Sequence, residues 1–351
     1  MFKRTIRLSP AEYINEAGVL KTLPQILIDH KYKRTVILTD KIVKDVIKKY
    51  LPQDFLKTNQ VEIFNGNATY QEIRRLSLLF KGSDSLIAFG GGQLLDTAKV
   101  VADNLKISLI NVPTLPSNCA AVTTKSIIYS EDTHEMIGGH RQNQAPNMVL
   151  VEPDLLKNAP YEYILSGIGD TLAKFYEIRL RLTDKKMNLV TAQIGRSYLE
   201  ICREEMLKVT KISELTDREL INFLDTIILV AASVDGIADF DGRSALAHAF
   251  YNAFIKFQNG SKKTHGEIVA LGILFQLYIE KNKSDYLSEL IDYYTIVGLP
   301  VNLSDINWNV EDLSGFVDYI IRPDDIRVQS LFPKISSEDV LSALKELGEG
   351  R

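Results

Sequence analysis

The fifteen residues Ser85-Leu-Ile-Ala-Phe-Gly-Gly-Gly-Gln-Leu-Leu-Asp-Thr-Ala-Lys99 leave few folds open to this chain. An apolar run ends on Gly90, Gly91 and Gly92 and passes at once into a stretch with helical spacing. A strand running through glycines into a helix is the core of a βα unit. The unpaired N–H groups at such a helix N-terminus suit a phosphate, and glycines let the backbone come close to it. A tight structural turn needs the same residues, so the motif alone leaves that alternative open.

The flanking sequence repeats the pattern. Strands are expected over Thr35–Thr39, Val61–Phe64, Ser85–Phe89, Ser108–Val112 and Met148–Val151, and helices over Lys41–Tyr50, Tyr70–Phe80 and Gln93–Asn104. Alternation of this kind predicts an α/β, doubly wound, Rossmann-like domain with a parallel sheet. Beyond Val151-Glu-Pro-Asp154 the texture turns to long helical patterns, over 184–208, 217–234 and 266–281. We therefore expect a dinucleotide-binding α/β domain over 1–155 and an all-α metal- and substrate-binding domain over 156–351, with ligands in a cleft between them. A chain of 351 residues is long enough for two such cores. Its net charge of −4 argues against nucleic acid as a partner. The apolar stretch Leu220–Val234 is broken by Asn222 and Asp225 and reads as a core helix rather than a membrane span. A charged N-terminal segment and only two cysteines, Cys119 and Cys202, suit a cytoplasmic protein.

Asp40 follows the strand Thr35–Thr39 at the carboxyl edge, where doubly wound sheets bind nucleotides. A carboxylate there accepts hydrogen bonds from an adenosine ribose and repels a 2′-phosphate, which favours NAD over NADP. It can equally cap the helix that begins at Lys41. In the helical half, Asp170, His248 and His265 have the chemistry of a catalytic divalent site, in which one carboxylate and two imidazoles leave a position open for substrate. Each also has a plainer reading: a helix cap for Asp170, a core histidine for His248, and a turn before Gly266 for His265. The 17 residues between the histidines are too many for one helical face, so spacing does not bring them together.

Taken together, Gly90-Gly-Gly-Gln-Leu-Leu-Asp-Thr-Ala-Lys99, Val112-Pro-Thr114, Gly167-Ile-Gly-Asp-Thr-Leu-Ala-Lys174, Ala247-His-Ala249 and His265-Gly-Glu267 make the chain resemble the iron-containing alcohol dehydrogenase superfamily, in its glycerol dehydrogenase-like branch. The resemblance implies the dehydroquinate synthase-like fold of that superfamily. It also implies Zn²⁺ or Fe²⁺ held by Asp170, His248 and His265, and NAD, with NADP as the alternative. For the cofactor it implies contacts from Gly90, Gly91, Gly92, Asp96, Thr114, Ser117, Thr123 and Tyr129. The implied enzyme is a homo-oligomer acting on a small molecule, passing a hydride between the dinucleotide and an alcohol or its ketone.

The substrate segment departs from the polyol enzymes of that branch. Ser117-Asn-Cys-Ala120 puts Cys119 where they carry an aspartate that helps hold the polyol, Lys125 stands where an apolar residue is usual, and Arg243 where a small one is. Loss of an anion and gain of two cations point to a 2-hydroxy or 2-oxo acid, with Arg243 and Lys125 meeting its carboxylate. Arg243 lies five residues before His248, a little over one helical turn if that stretch is helical. The plainer alternative has Lys125 on cofactor phosphate or solvent and Arg243 paired with Asp239 or Asp241. Glycerol dehydrogenase, glycerol-1-phosphate dehydrogenase and, more remotely, a dehydroquinate synthase-type lyase are the rival activities.

Overall fold

The computed structural model describes residues 5–132, 135–183, 188–258, 261–280 and 285–349. They fall into two compact units. One comprises Arg7–Ala159 with Leu215–Gly236, and the other Pro160–Glu214 with the chain from Ile237 onward, joined by Thr5 and Ile6.

The first unit is built on a six-stranded sheet of β1 (Glu12–Asn15), β2 (Thr35–Thr39), β3 (Gln60–Ile63), β4 (Ser85–Gly90), β5 (Ser108–Pro113) and β8 (Met148–Val151). The strands are all parallel, in the order β1-β8-β5-β4-β2-β3. The central strands read as unbroken apolar runs because helices cover both faces. Ile37, Ile87, Phe89, Ile110, Val112, Met148 and Leu150 form one core with Leu20, Leu23, Ile47 and Phe55. From β2 the chain steps outward to β3 and then back across β2 to β4, so the direction of winding reverses between β2 and β4. Ligands of doubly wound sheets bind at such a reversal. The pairing Thr39↔Phe89 sets the ends of these two strands side by side, and with them Asp40 and Gly90.

The five expected strands are all present. Three others escape the sequence pattern. Strand β1 is a four-residue edge strand with one β-branched residue, Ile14. Strands β6 (Lys125–Tyr129) and β7 (Met136–Arg141) form a separate antiparallel pair whose second member carries Gly138 and Gly139, residues that weaken strand propensity.

The expected division near residue 155 lies at 159/160, and residues 215–236 do not group with the helical part of the chain, as an unbroken 156–351 domain requires. Their place is set by hydrogen bonds to the sheet unit. Asp225 accepts from Tyr13 Oη at 2.8 Å and Asn15 Nδ2 at 2.7 Å, and Arg7 N donates to Gly236 O at 3.0 Å. The apolar helical stretch 217–238 is the one described helix long and apolar enough to cross a membrane, and 56% of its most apolar window is buried in the protein. The expected helix over 184–208 is described from Val190 to Leu207, and residues 184–187 lie outside the described residues.

The second unit is helical. Its central helices are Tyr161–Ile178, Leu246–Phe257 and His265–Ile279. The last has thirteen buried residues and almost no polar face, as an innermost helix should.

The bonds to Asp225 give a test. Asp225→Ala leaves a phenol and an amide without this acceptor and should lower unfolding free energy by about 1–2 kcal/mol in urea titration, whereas Tyr13→Phe, which removes one donor and leaves Asp225 bonded to Asn15, should cost less. Equal stability of Asp225→Ala and the unaltered protein would show that residues 215–236 are not held in this way.

Candidate active site

In the helical unit, Asp170, His248 and His265 offer ligand atoms that all lie within 4.8 Å of one another. Asp170 Oδ1 is 3.3 Å from His265 Nε2 and 3.4 Å from His248 Nε2. Asp170 lies in the interior of the helix Tyr161–Ile178 and is therefore not a cap. His248 is the third residue of its helix and His265 the first residue of its own. The start of the His265 helix is fixed by Thr264, whose amide and hydroxyl both donate to Glu267 Oε2, at 2.9 and 2.8 Å.

Glycines bring these three helices together. A Cβ on Gly169 would stand 2.1 Å from Gly266 O, and one on Gly272 would stand 2.5 Å from Ala247 O. Backbone therefore meets backbone where Asp170 adjoins His265, and again beside His248. Gly266 N also donates to Ser166 Oγ at 3.0 Å.

Behind the cluster stands Glu177, which the sequence reading missed. It lies two helical turns beyond Asp170 on the same face, and that spacing of seven residues was the available signal. Its Oε1 accepts from Ala245 N at 2.7 Å and His248 N at 3.0 Å, and its Oε2 is 2.6 Å from His248 Nδ1. A proton held on Nδ1 leaves the Nε2 lone pair free for a cation. Burial opposes charge on His248, but Glu177 and Asp170 outweigh it and raise the imidazole to about 9. Burial likewise pushes the Asp170 carboxyl up, and the two imidazoles overcome it and hold the group well below the usual carboxylate range. The donors gathered here are thus one buried carboxylate and two imidazoles, with the buried Glu177 carboxylate behind them, a set of the kind that holds a divalent metal. Tyr251 closes one side, its ring edge-on to His265 with centroids 4.3 Å apart.

Arg243 does not sit a helical turn ahead of His248. The helix begins at Leu246, and Arg243 is in extended backbone with φ −77° and ψ 150°. Its side chain is exposed, with the guanidinium 5.0 Å from the centre of the Phe240 ring. Its carbonyl accepts from the buried Arg181, which also donates to Ser244 O at 3.1 Å and so fixes the backbone that leads into the His248 helix. The Asp239 side chain lies outside the described residues.

In the sheet unit, Gly90 ends β4, Gly91 caps the helix Gly92–Leu105 and Gly92 begins it. None of the three has positive φ. Space is tight around them: a Cβ would stand 2.7 Å from Leu94 Cδ1 at Gly90 and 3.0 Å from Asn118 Nδ2 at Gly92, so those side chains would have to shift. Thr114 N donates to Gly90 O at 3.1 Å, and the buried Thr114 Oγ1 has no partner among the described residues. An orphaned hydroxyl beside a glycine-led helix N-terminus fits a dinucleotide. Asp40 caps the helix after β2 by accepting from Val43 N at 2.8 Å, which leaves the carboxylate acceptor capacity for a ribose.

Asp96 has an internal role. It is buried, 2.8 Å from Lys99 Nζ, and accepts from Ile127 N at 2.8 Å. Lys99 in turn donates to Ala120 O, Thr123 O, Thr123 Oγ1 and Lys125 O, at 2.8, 3.1, 3.1 and 2.7 Å, and so ties the segment 120–125 to the glycine-led helix. On that segment or beside it are the buried Ser117 and Cys119, the half-buried Thr123 and the exposed Lys125, whose side chain lies over Gly139. Tyr129 ends β6, its amide donating to Ala68 O at 2.9 Å.

The sequence model described as "Iron-containing alcohol dehydrogenase" matches residues 10–153. Over 329 residues, covering 90% of each chain, the protein is 31% identical to a hydroxycarboxylate dehydrogenase A of Escherichia coli K12. The chain belongs to the iron-containing alcohol dehydrogenase family. It is accordingly an NAD(P)-dependent oxidoreductase acting on CH–OH groups, and its family works with a divalent metal such as zinc or iron. This dehydrogenase is also 28% identical to a glycerol dehydrogenase of Thermotoga maritima, over 97% of this chain and 96% of that one. A solved structure of a probable glycerol dehydrogenase from Sinorhizobium meliloti shares its fold, with a TM-score of 0.81, 24% identity and 98% coverage of both chains.

The helix contacts at glycine predict that Gly169→Ala, which must force two backbones apart, lowers stability by about 1–3 kcal/mol or more in chemical denaturation. Gly348→Ala, where the new Cβ would meet only Leu303 Cδ1 at 3.8 Å, should not. Equal effects of the two substitutions would contradict the packing described.

Proposed function

We propose that this dehydrogenase interconverts a small 2-hydroxy acid and its 2-oxo acid, using NAD(H) and one divalent cation held by Asp170, His248 and His265. The observation that carries the reading is the convergence of those three residues from separate helices, with Glu177 fixing the Nδ1 side of His248. When bound, Zn²⁺ or Fe²⁺ supplies a Lewis acid for the substrate oxygen and the nicotinamide supplies the hydride carrier.

The chain's own residues do the rest. Asp170 gives the cation an anionic ligand, and the imidazoles give it two neutral ones once His248 has lost its extra proton. The unpaired N–H groups at the start of the helix Gly92–Leu105 face the dinucleotide's pyrophosphate, with Thr114 beside them. Asp40 favours a ribose hydroxyl over a 2′-phosphate. Lys99 holds the segment 120–125 in place, so that Ser117, Thr123 and Tyr129 sit on a firm support near the cofactor.

The choice of a 2-oxo acid over a polyol rests on charge. Cys119 presents no anion to a carboxylate, and Arg243 can meet one with two parallel hydrogen bonds. Because the Arg243 backbone is extended and anchored by Arg181, its reach comes from the long side chain swinging off Phe240 rather than from a helical turn. Lys125 adds a second cation. The E. coli relative's name, a hydroxycarboxylate dehydrogenase, supports the same substrate class. A homo-oligomeric, cytoplasmic enzyme belongs to this reading as well.

A panel of 2-oxo acids, dihydroxyacetone, glycerol and neutral ketones, run with NADH and NADPH and added Zn²⁺ or Fe²⁺, tests the reading. A 2-oxo acid with NADH should give the highest kcat/KM. Arg243→Ala should lower that value about ten- to a hundredfold, the loss of one charge-assisted contact, and leave a neutral ketone nearly unchanged. If glycerol or dihydroxyacetone is best, or if Arg243→Ala affects both classes equally, the enzyme is a polyol dehydrogenase.

A further inference from the structure

Tyr251 is the one aromatic residue in contact with His265 apart from His248 among the described ring contacts. It lies three residues after His248 on the helix Leu246–Phe257, and residues three apart share a helical face. The other face of that helix is committed to the core. Phe250 packs against Phe275, Trp308 and Phe316, with centroids 5.2, 6.0 and 5.8 Å away, and Phe254 lies against Trp308 at 6.0 Å. Tyr251 is thus the aromatic residue of this helix that stands with the ligand cluster.

Its hydroxyl has no hydrogen-bond partner among the described residues. Other enclosed phenols have partners: Tyr293 donates to Met206 O and Val209 O at 2.6 and 2.8 Å, and Tyr176 Oη accepts from Arg203 Nε at 3.2 Å. Tyr251 makes no hydrogen bond to any described residue, although it is only partly exposed. Tyr294 also lacks one, but its side chain is sealed at 0% exposure. A phenylalanine at 251 would keep the edge-on contact with His265, so what the tyrosine adds there is a donor that reaches solvent beside the cluster. That hydroxyl is free to meet a partner that arrives with the substrate.

We propose that Tyr251 is a substrate-binding residue whose O–H donates to the carboxylate of the bound 2-oxo acid, and so sets the preference for substrates with an oxygen acceptor next to the reacting carbon. The inference rests on the reading that the Asp170–His248–His265 cluster is where the substrate reacts. A phenol beside the cluster is suited to orient a group next to the reacting carbon, since a cation held by the cluster would claim the reacting oxygen. A carboxylate is the strongest acceptor available to it, and a donor to an ionised group contributes more than one to a neutral group.

The experiment compares Tyr251→Phe with the unaltered, zinc-loaded enzyme in three readouts: zinc per chain, binding of oxamate by calorimetry, and kcat/KM for pyruvate against butanone. The variant should keep its zinc and its thermal midpoint. It should bind oxamate about tenfold more weakly and lose about ten- to a hundredfold in kcat/KM with pyruvate, with butanone changed less than twofold. Unchanged oxamate affinity and pyruvate kinetics would overturn the inference alone. Loss of zinc, or equal losses on both substrates, would also overturn it, because Tyr251 would then support the cluster or the reacting oxygen instead. An unaltered enzyme that holds zinc yet neither binds oxamate nor reduces any 2-oxo acid would overturn the substrate reading and this inference with it.

Discussion

The hydrogen bonds of Glu177 join three things that must agree for the site to exist: the Asp170 helix, the first turn of the His248 helix, and the orientation of the His248 ring. A fully buried carboxylate is costly unless its oxygens are met by donors, and here two amides and an imidazole meet them. The same contacts register one helix against the other, because Glu177 lies on the stripe of the helix that carries Asp170. The glycine contacts then bring the His265 helix within backbone distance of both partners. A Cβ at 169, 266 or 272 would run into the backbone of the neighbouring helix and push the helices apart.

Electrostatics follow from that packing. Asp170 and Glu177 are both buried and both held in the charged form, and in the absence of a metal the proton on His248 offsets part of that charge. A divalent cation does so better, replacing the proton and taking the ligand atoms already gathered. In the sheet unit a buried lysine does the comparable work. Lys99 and Asp96 compensate each other, and the remaining Lys99 donors hold the segment that runs from Ala120 to Lys125.

Much of this was legible in the sequence, and the gaps have physical causes. The central strands declare themselves because burial on both faces demands continuous apolar runs, and the glycine-led helix because the tight space there favours glycine. Asp170, His248 and His265 could be picked out by chemistry but not brought together by spacing, since their convergence depends on backbone contacts between helices far apart in sequence. Glu177 was readable only as a seven-residue interval from Asp170. Arg243 was placed a helical turn from His248, and the extended backbone at Arg243, tied down by Arg181, removes that turn. Residues 215–236 read as part of the helical half because their pattern is helical. Their allegiance to the sheet unit lies in single polar contacts such as Tyr13 to Asp225, which no periodicity reports.

The central claim is that one cation is held by one carboxylate and two imidazoles. X-ray absorption at the zinc edge of the full-length, zinc-loaded protein measures this directly. The account predicts one zinc per chain, with scattering from two imidazole rings and light-atom oxygen ligands, falling to a single imidazole in His265→Ala at whatever occupancy remains. A zinc environment without imidazole, or one unchanged by that substitution, would contradict it.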